Sequence, residues 1–350
     1  MTDSIMSPES WKNHVQNFSK NFEQVLSKIK DIKFKNELEQ HLHIYIKHAF
    51  EIWRSEYKLV FIGPIGVGKS TAISYLFDLL IDNNDKSTIL YTSSGRTTTC
   101  QVTIKKSTNC DCCINIIPYN NSEVVQIIKD FCSYYWNKEK NIIYDVKIVE
   151  EIARTIRNMA SLGSSKDHSF RENINDIINQ SATESIFFNK ITERINLKNR
   201  TTTTIKYNSL AGNNWKEWLR NTFRDINNGK LANISIPKEI IISIPDMKIN
   251  KELSDYDLSI IDTKGIDNNI YREDLNELIQ ECGNIIIFCS AYADAPHVTI
   301  RDIIQNMNTA LKVSPNNGKS LLLVIPKNKE ALQTTYDDGE QVETIEDGYN

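Results

Sequence analysis

Apolar side chains recur alternately three and four positions apart near the start of the chain. The stripe consists of Trp11, Val15, Phe18, Phe22, Val25, Ile29 and Ile32. This spacing predicts one face of a long amphipathic helix over residues 8–33. A second stretch, over about 36–54, repeats the pattern with Leu38, Leu42, Tyr45, Ala49 and Trp53. Together the two stretches predict an N-terminal helical hairpin whose stripe is buried against the rest of the chain or against a partner helix.

Short apolar runs typical of buried strands occur in two separate parts of the chain. They cover 57–63, 88–94, 100–106, 239–245, 257–267, 284–291 and 319–326. Helical patterns alternate with some of them, at 69–82 and 298–312, which predicts an α/β fold with a mostly parallel sheet. Residues 118–235 instead consist of several helical patterns joined by polar turns. The predicted domains are a hairpin (1–56), a first core part (57–117), a helical insertion (118–238) and a second core part (239–350).

Composition narrows the class of protein. The 350 residues are 40% hydrophobic and 25% charged, which is typical of a globular domain, and the net charge of −4 gives no sign of nucleic-acid binding. We see no apolar leader and no run of 18 apolar residues. Seven cysteines without a leader favour a reduced, cytoplasmic setting over a disulfide framework.

A glycine-rich loop follows the first predicted strand. Residues 63–70 match the phosphate-loop pattern G-x-x-x-x-G-K-[ST], and a helical pattern follows, as the motif requires. The predicted phosphate-binding residues are Gly63, Pro64, Ile65, Gly66, Val67, Gly68, Lys69, Ser70 and Thr71. Backbone N–H groups of such a loop surround the phosphates, the lysine bridges the β- and γ-phosphates during catalysis, and the serine hydroxyl binds Mg²⁺. The sequence therefore predicts a site for a nucleoside triphosphate and Mg²⁺.

A second motif, D-x-x-G, lies within the predicted strand segment 257–267, where its apolar run ends. Asp262 stands where the buried strand ends, a position from which a carboxylate reaches the magnesium of a neighbouring phosphate loop. Gly265 has no side chain to block the approach of its N–H to the γ-phosphate. Both residues are therefore predicted site residues.

The order of phosphate loop, threonine-rich loop and D-T-K-G resembles GTPases of the translation-factor-related class. The likeness is to their dynamin-like, septin-like and immunity-associated branches, and it covers roughly 57–106 and 255–327. It implies that Thr98 or Thr99, just before Cys100, is the switch threonine that contacts Mg²⁺ and supports catalysis. Arg96 beside them is a candidate arginine finger, with a solvated loop residue as the alternative.

Three features depart from this family pattern. Lys327 stands at the position of the guanine-binding motif of those GTPases, and its side chain is able to stack on a base. No aspartate follows two residues later, so the sequence does not decide between GTP and ATP. Ile266 replaces the glutamine that orients water in Ras-like enzymes, which implies slow hydrolysis. After Pro326 only 24 residues remain, which we interpret as a C-terminally incomplete core or a sheet completed by another chain.

These motifs favour a GTPase-like switch whose nucleotide state drives assembly or conformational change. The resemblance implies a homo-oligomer or a helical protein partner, peripheral membrane contact, and a role in membrane remodelling or cellular defence. The alternatives are an ATP-binding protein or ATPase, and a scaffold that binds nucleotide without hydrolysing it. Two further clusters admit a metal site as a minor alternative to ordinary structural roles: Cys110, Cys112 and Cys113, and His41, His43 and His48.

Overall fold

The computed structural model describes fourteen stretches of the chain. They are 8–52, 56–81, 87–90, 100–107, 111–142, 148–163, 172–208, 214–245, 247, 257–266, 273–281, 283–292, 295–310 and 320–326. The statements below concern these residues. None of the helices described in these stretches is both long enough and apolar enough to cross a membrane.

Two helices open the chain and contact each other: α1 (Pro8–Leu26) and α2 (Ile32–Ile52). The stripe predicted one continuous helix to residue 33, but α1 ends seven residues earlier. The Asp31 carboxylate accepts a hydrogen bond from the Phe34 N–H (3.1 Å) and thereby caps the start of α2. Ile29 therefore lies in the turn and Ile32 opens the next helix. Among the side chains of the pair that the structure describes, the buried apolar ones are Val15, Leu26 and Leu42.

A single sheet of eight strands forms the centre of the molecule. The strands are β1 (Glu56–Ile62), β2 (Gln101–Lys106), β3 (Cys113–Pro118), β4 (Thr204–Lys206), β5 (Pro237–Ile244), β6 (Asp257–Asp262), β7 (Asn284–Ala291) and β8 (Ser320–Ile325). Their order is β4-β3-β5-β2-β6-β1-β7-β8. Four of the seven pairings are parallel, and the pairings β2–β6, β3–β5 and β3–β4 are antiparallel. The predicted α/β fold with a mostly parallel sheet is confirmed.

Eight further α-helices surround the sheet or form the helical segment. They are α3 (Lys69–Leu76), α4 (Asn121–Glu139), α5 (Glu150–Met159), α6 (Ile174–Asn179), α7 (Glu184–Ile195), α8 (Trp215–Asn227), α9 (Glu273–Gln280) and α10 (Val298–Ala310). The sequence pattern predicted a helix over 69–82, but α3 ends at Leu76, and Leu80 pairs with Thr88 in an isolated bridge. The described part of the strand predicted at 88–94 contains only this bridge.

Three buried apolar clusters organise these elements. Alternate residues of β1 point to opposite faces: Phe61 joins the cluster shared with α3 and α8, while Val60 and Ile62 join the cluster shared with α9 and α10. Helices α4 to α7 form a third cluster of their own. The apolar side chains Leu219, Phe223 and Ile226 of α8 thus belong to the sheet's cluster and not to the cluster of α4 to α7.

The tract Arg200-Thr-Thr-Thr-Thr204 connects the helices to the sheet. The buried Arg200 guanidinium donates to the carbonyls of Met159, Ile195, Leu231 and Ile234, which come from three separate segments. Thr204 begins the short strand β4, which pairs with β3. Neither β3 nor β4 was predicted as a strand from sequence.

Candidate nucleotide-binding site

The glycine-rich loop lies at the carboxyl end of β1, between β6 and β7. Parallel strands on both sides of β1 place it at the sheet edge where α/β folds bind ligands. Gly63 allows close packing on β7, because a Cβ there would stand 2.5 Å from the carbonyl oxygen of Cys289. Gly66 and Gly68 have φ angles of 70° and 106°, which side chains disfavour. The chain therefore reverses direction here and enters α3 with backbone N–H groups at the turn.

Lys69 is buried at the first position of α3. Its ammonium donates to the carbonyls of Gly63 (3.0 Å) and Pro64 (3.2 Å), both within the loop. A charged group held under a loop of this kind lies beside the place where phosphates bind. The Gly63 and Pro64 carbonyl groups of the loop therefore position the lysine.

Ser70 and Asp262 bring the two motifs into contact. The Ser70 hydroxyl donates to Oδ2 of Asp262, although the residues are 192 positions apart. Asp262 is only 1% exposed, and its Oδ1 has no hydrogen-bond partner. Burial raises the pKa of this carboxyl, and nearby Lys69 and Ser70 partly counter that effect. A buried carboxylate with one oxygen unpaired, beside a serine hydroxyl, has the donor chemistry that a hard cation such as Mg²⁺ requires.

The D-x-x-G segment packs directly on the glycine-rich loop. Backbone hydrogen bonds join Ile65 N–H to Ile266 O (3.2 Å) and Ile266 N–H to Gly63 O (3.1 Å). At Gly265 a Cβ would stand 2.7 Å from Cγ1 of Ile65, so this close approach requires glycine. The Thr263 hydroxyl, which sequence reasoning did not identify, donates to the carbonyl of Phe61 (2.7 Å) and fixes the segment to β1.

Several predicted site residues lie outside the described residues: Arg96, Thr98, Thr99 and Lys327. The structure does bring the strand that precedes Lys327 to the loop, since Ile325 at the end of β8 is 3.3 Å from a Cβ built on Gly68. Of the remaining predicted residues, Val67 is buried in the core cluster, whereas Pro64 and Thr71 are partly exposed and Ile65 and Gly66 are exposed.

A cavity of about 950 Å³ opens beside Gly265. Its walls come from the start of β2, the end of β3, the start of β5 and one side of α9. At its β2–β5 wall the Glu239 carboxylate accepts from the Thr103 hydroxyl (2.7 Å) and the Gln101 amide (3.2 Å). Sequence reasoning missed this cavity because its walls come from four elements that are distant in the chain.

The two minor metal candidates gain no support from the described residues. Within that part of the chain, no group of three or more His, Cys, Asp or Glu side chains is arranged to hold a metal ion. Cys110 and the His48 side chain lie outside it. Cys112 is a buried free thiol, and burial raises its pKa to about 12.

Comparison with known proteins finds similar structures but no similar sequence among the curated proteins. No protein-family model matches the chain, and no curated protein matches its sequence. Two similar solved structures are both described as an oligomerised bacterial dynamin pair that provides a mechanism for long-range sensing and tethering of membranes. The first is 13% identical with a TM-score of 0.34 and covers 96% of this chain and 34% of its own. The second is 11% identical with a TM-score of 0.33 and covers 93% of this chain and 40% of its own. This chain therefore spans between a third and two-fifths of those longer chains, and a likeness at this level does not assign it a function.

Proposed function

We propose that this protein is a GTPase-like molecular switch that binds a nucleoside triphosphate together with Mg²⁺. The observation that carries the proposal is the buried contact between Ser70 and Asp262, with Oδ1 of the aspartate left unpaired. The two residues belong to different motifs, and each motif alone predicted a magnesium ligand. A purely structural aspartate at this position would be expected to have both oxygens satisfied.

Each residue has a distinct part in this proposal. Backbone N–H groups of residues 63–70 surround the β-phosphate, and Lys69 neutralises charge on the β- and γ-phosphates. Ser70 and Asp262 hold Mg²⁺, directly or through its water shell, and bound Mg²⁺ would supply charge neutralisation at the phosphates. Gly265 allows a backbone N–H to approach the γ-phosphate, which gives the D-x-x-G segment a means of sensing its loss. Thr98 or Thr99, with Arg96, would complete the site.

Hydrolysis is proposed to be slow. Ile266 is buried, its N–H donates to Gly63, and its carbonyl accepts from Ile65. An aliphatic side chain held in this way has no group with which to orient an attacking water. A switch with a long-lived triphosphate state suits control of assembly, and the motif resemblance extends the proposal to self-assembly or a helical partner, peripheral membrane contact, and membrane remodelling or defence.

A titration of the purified chain with fluorescent GTP and fluorescent ATP, with and without Mg²⁺, tests the proposal. We expect saturable binding of at least one nucleotide that tightens when Mg²⁺ is present. Stronger ATP binding would favour the ATPase alternative. Tight binding with no phosphate release would favour the non-hydrolysing scaffold, and the absence of any binding would overturn the proposed function.

A further inference from the structure

The D-x-x-G segment is attached to its surroundings at two points. At its start, the Thr263 hydroxyl donates to the carbonyl of Phe61 in β1 (2.7 Å), and the Thr263 N–H donates to the same carbonyl (3.3 Å). Just after the segment, the Ile266 N–H donates to the carbonyl of Gly63 (3.1 Å). Gly265 lies between these two points, so its backbone is held from both sides.

The Thr263 hydroxyl makes the shorter of the two bonds at the first point. An O–H···O distance of 2.7 Å is ordinary, whereas an N–H···O distance of 3.3 Å exceeds the usual upper value of about 3.2 Å. Thr263 is only 1% exposed, so water does not readily replace a lost donor there. The other bonds described above come from backbone groups. Substitution of the Thr263 side chain would therefore loosen the first point and leave the second intact.

Two residues of the proposed site depend on the position of Thr263. Asp262, which contacts Ser70, directly precedes it. Gly265 packs so closely on the glycine-rich loop that a Cβ there would stand 2.7 Å from Cγ1 and 2.9 Å from Cα of Ile65. Closely packed interiors transmit displacements instead of absorbing them. A shift of Thr263 would therefore move both the proposed magnesium ligand and the N–H proposed to approach the γ-phosphate.

We propose that Thr263 is a positioning residue through which the site distinguishes a nucleoside triphosphate from a diphosphate. Its hydroxyl fixes Asp262 and Gly265 at the places from which they reach Mg²⁺ and the γ-phosphate. A diphosphate has no γ-phosphate, so its binding depends mainly on the glycine-rich loop and Lys69. This inference rests on the proposed function and assigns its response to nucleotide state to a side chain that itself contacts neither nucleotide nor metal.

Calorimetry on Thr263→Val tests the inference, because valine keeps the branched shape of threonine and lacks the hydroxyl. The ligands are a non-hydrolysable triphosphate analogue and the matching diphosphate, both with Mg²⁺ and with the base that the parent prefers. We expect the ratio of triphosphate to diphosphate affinity to fall about fivefold, with the diphosphate affinity within about twofold of the parent's. Thr263→Ser, which keeps the hydroxyl, should restore the ratio. The matched control Thr192→Val removes a hydroxyl that donates to the Phe188 carbonyl in α7 (2.9 Å), and it should keep the parent's ratio.

Hydrogen exchange on the ligand-free chain separates a positioning role from general destabilisation. The amides of Ile65 and Ile266 should exchange about tenfold faster in Thr263→Val than in the parent, while the amide of Val60 in the middle of β1 keeps its protection. If Thr263→Val does not fold, Thr263→Cys, whose thiol is a weaker donor, should show smaller changes in the same directions.

The outcomes distinguish this inference from the proposed function. A parent that prefers the triphosphate, together with a Thr263→Val variant that keeps the same ratio or the same exchange at Ile65 and Ile266, would overturn the inference alone. A parent that binds neither nucleotide would overturn the proposed function and the inference with it.

Discussion

Asp262 combines two opposing effects at a single residue. Burial raises its pKa above the ordinary value of 3.8, so keeping it ionised in the folded protein costs free energy. Its contribution to stability is fully present at pH values below the ordinary carboxyl range and is lost as the pH rises through the folded-state pKa. A bound cation reverses this balance by stabilising the ionised form. Under the proposed function, Asp262 therefore destabilises the ligand-free protein and gains a favourable interaction when the cation binds.

This balance predicts opposite effects of Asp262→Asn on stability and on binding. Without Mg²⁺ at neutral pH, the variant should have an unfolding free energy equal to or higher than that of the parent, because the amide has no charge to bury. The difference should shrink as the pH falls toward about 4. The Mg²⁺-dependent part of nucleotide affinity should be lost. Denaturant melts at several pH values, together with calorimetry, measure both; an unchanged Mg²⁺ dependence would remove Asp262 from the proposed site.

Lys69→Ala should abolish most nucleotide binding, because the ammonium is the loop's own positive side chain beside the phosphates. Loss of a hydrogen bond to a charged group is worth about 1.5–3 kcal/mol, or roughly 10- to 150-fold in affinity. Lys58→Ala is the matched control, since Lys58 pairs with Glu281 at the opposite end of β1 (2.9 Å). Calorimetry that found equal affinities for the two variants would contradict the assignment.

From the sequence alone, the meeting of Ser70 and Asp262 was predictable, whereas their role as Mg²⁺ ligands stays a prediction. The contact of Ser70 with Asp262 follows from two short patterns that each imply the same ligand. Thr263 and Glu239 were missed because their hydrogen-bond partners lie on strands that are distant in the chain. No local pattern in the sequence indicates such partners. The roles of Arg96, Thr98, Thr99 and Lys327 stay predictions.

Among the elements, the region around Arg200 gives the sharpest prediction. Its guanidinium satisfies four carbonyls, and burial lowers its pKa, so its charge is held by these contacts rather than by solvent. Arg200→Met should lower the unfolding free energy by about 2–4 kcal/mol, because buried carbonyls lose their donors. The neighbouring Lys198→Met, at an exposed position, should change it by less than about 0.5 kcal/mol. Urea melts that gave equal stabilities would contradict this role for Arg200.

Strands of the central sheet with long apolar runs were predictable, and the two at its far edge were not. β5, β7 and β8 each contain three or more consecutive aliphatic residues, and β6 contains two. β4 has three residues and is mostly exposed, so no apolar run marks it in the sequence. β3 was not predicted because its cysteines were interpreted as a loop or strand-edge cluster, although the alternation of the buried residues Cys112, Ile114 and Ile116, at and just before the strand, is that of a strand.

On the scale of the whole molecule, the nucleotide is expected to be recognised mainly through its phosphates. We therefore predict a preference for GTP over ATP below about 100-fold, because strong discrimination requires a buried group that pairs with the base, and the segment from Lys327 lacks the usual aspartate. Competition binding of unlabelled GTP against ATP measures the ratio. A much larger preference would reveal a guanine-binding group elsewhere, and a series of variants over 327–330 would be the first place to look for it.

Helix α8 connects the helical segment to the sheet and the phosphate loop. Lys216 at its start donates to the carbonyl of Leu80 just after the phosphate-loop helix (2.7 Å), and Asn227 at its end accepts from the Thr155 hydroxyl of α5 (2.9 Å). Its apolar side chains share a cluster with Val67 of the loop. A simple excision of residues 118–238 would therefore remove apolar side chains from the cluster that Val67 shares and would leave an open edge on β3, which loses its pairing with β4. The part of this segment that packs as a unit of its own is α4 to α7, which share a separate apolar cluster, and this unit is smaller than composition alone suggests.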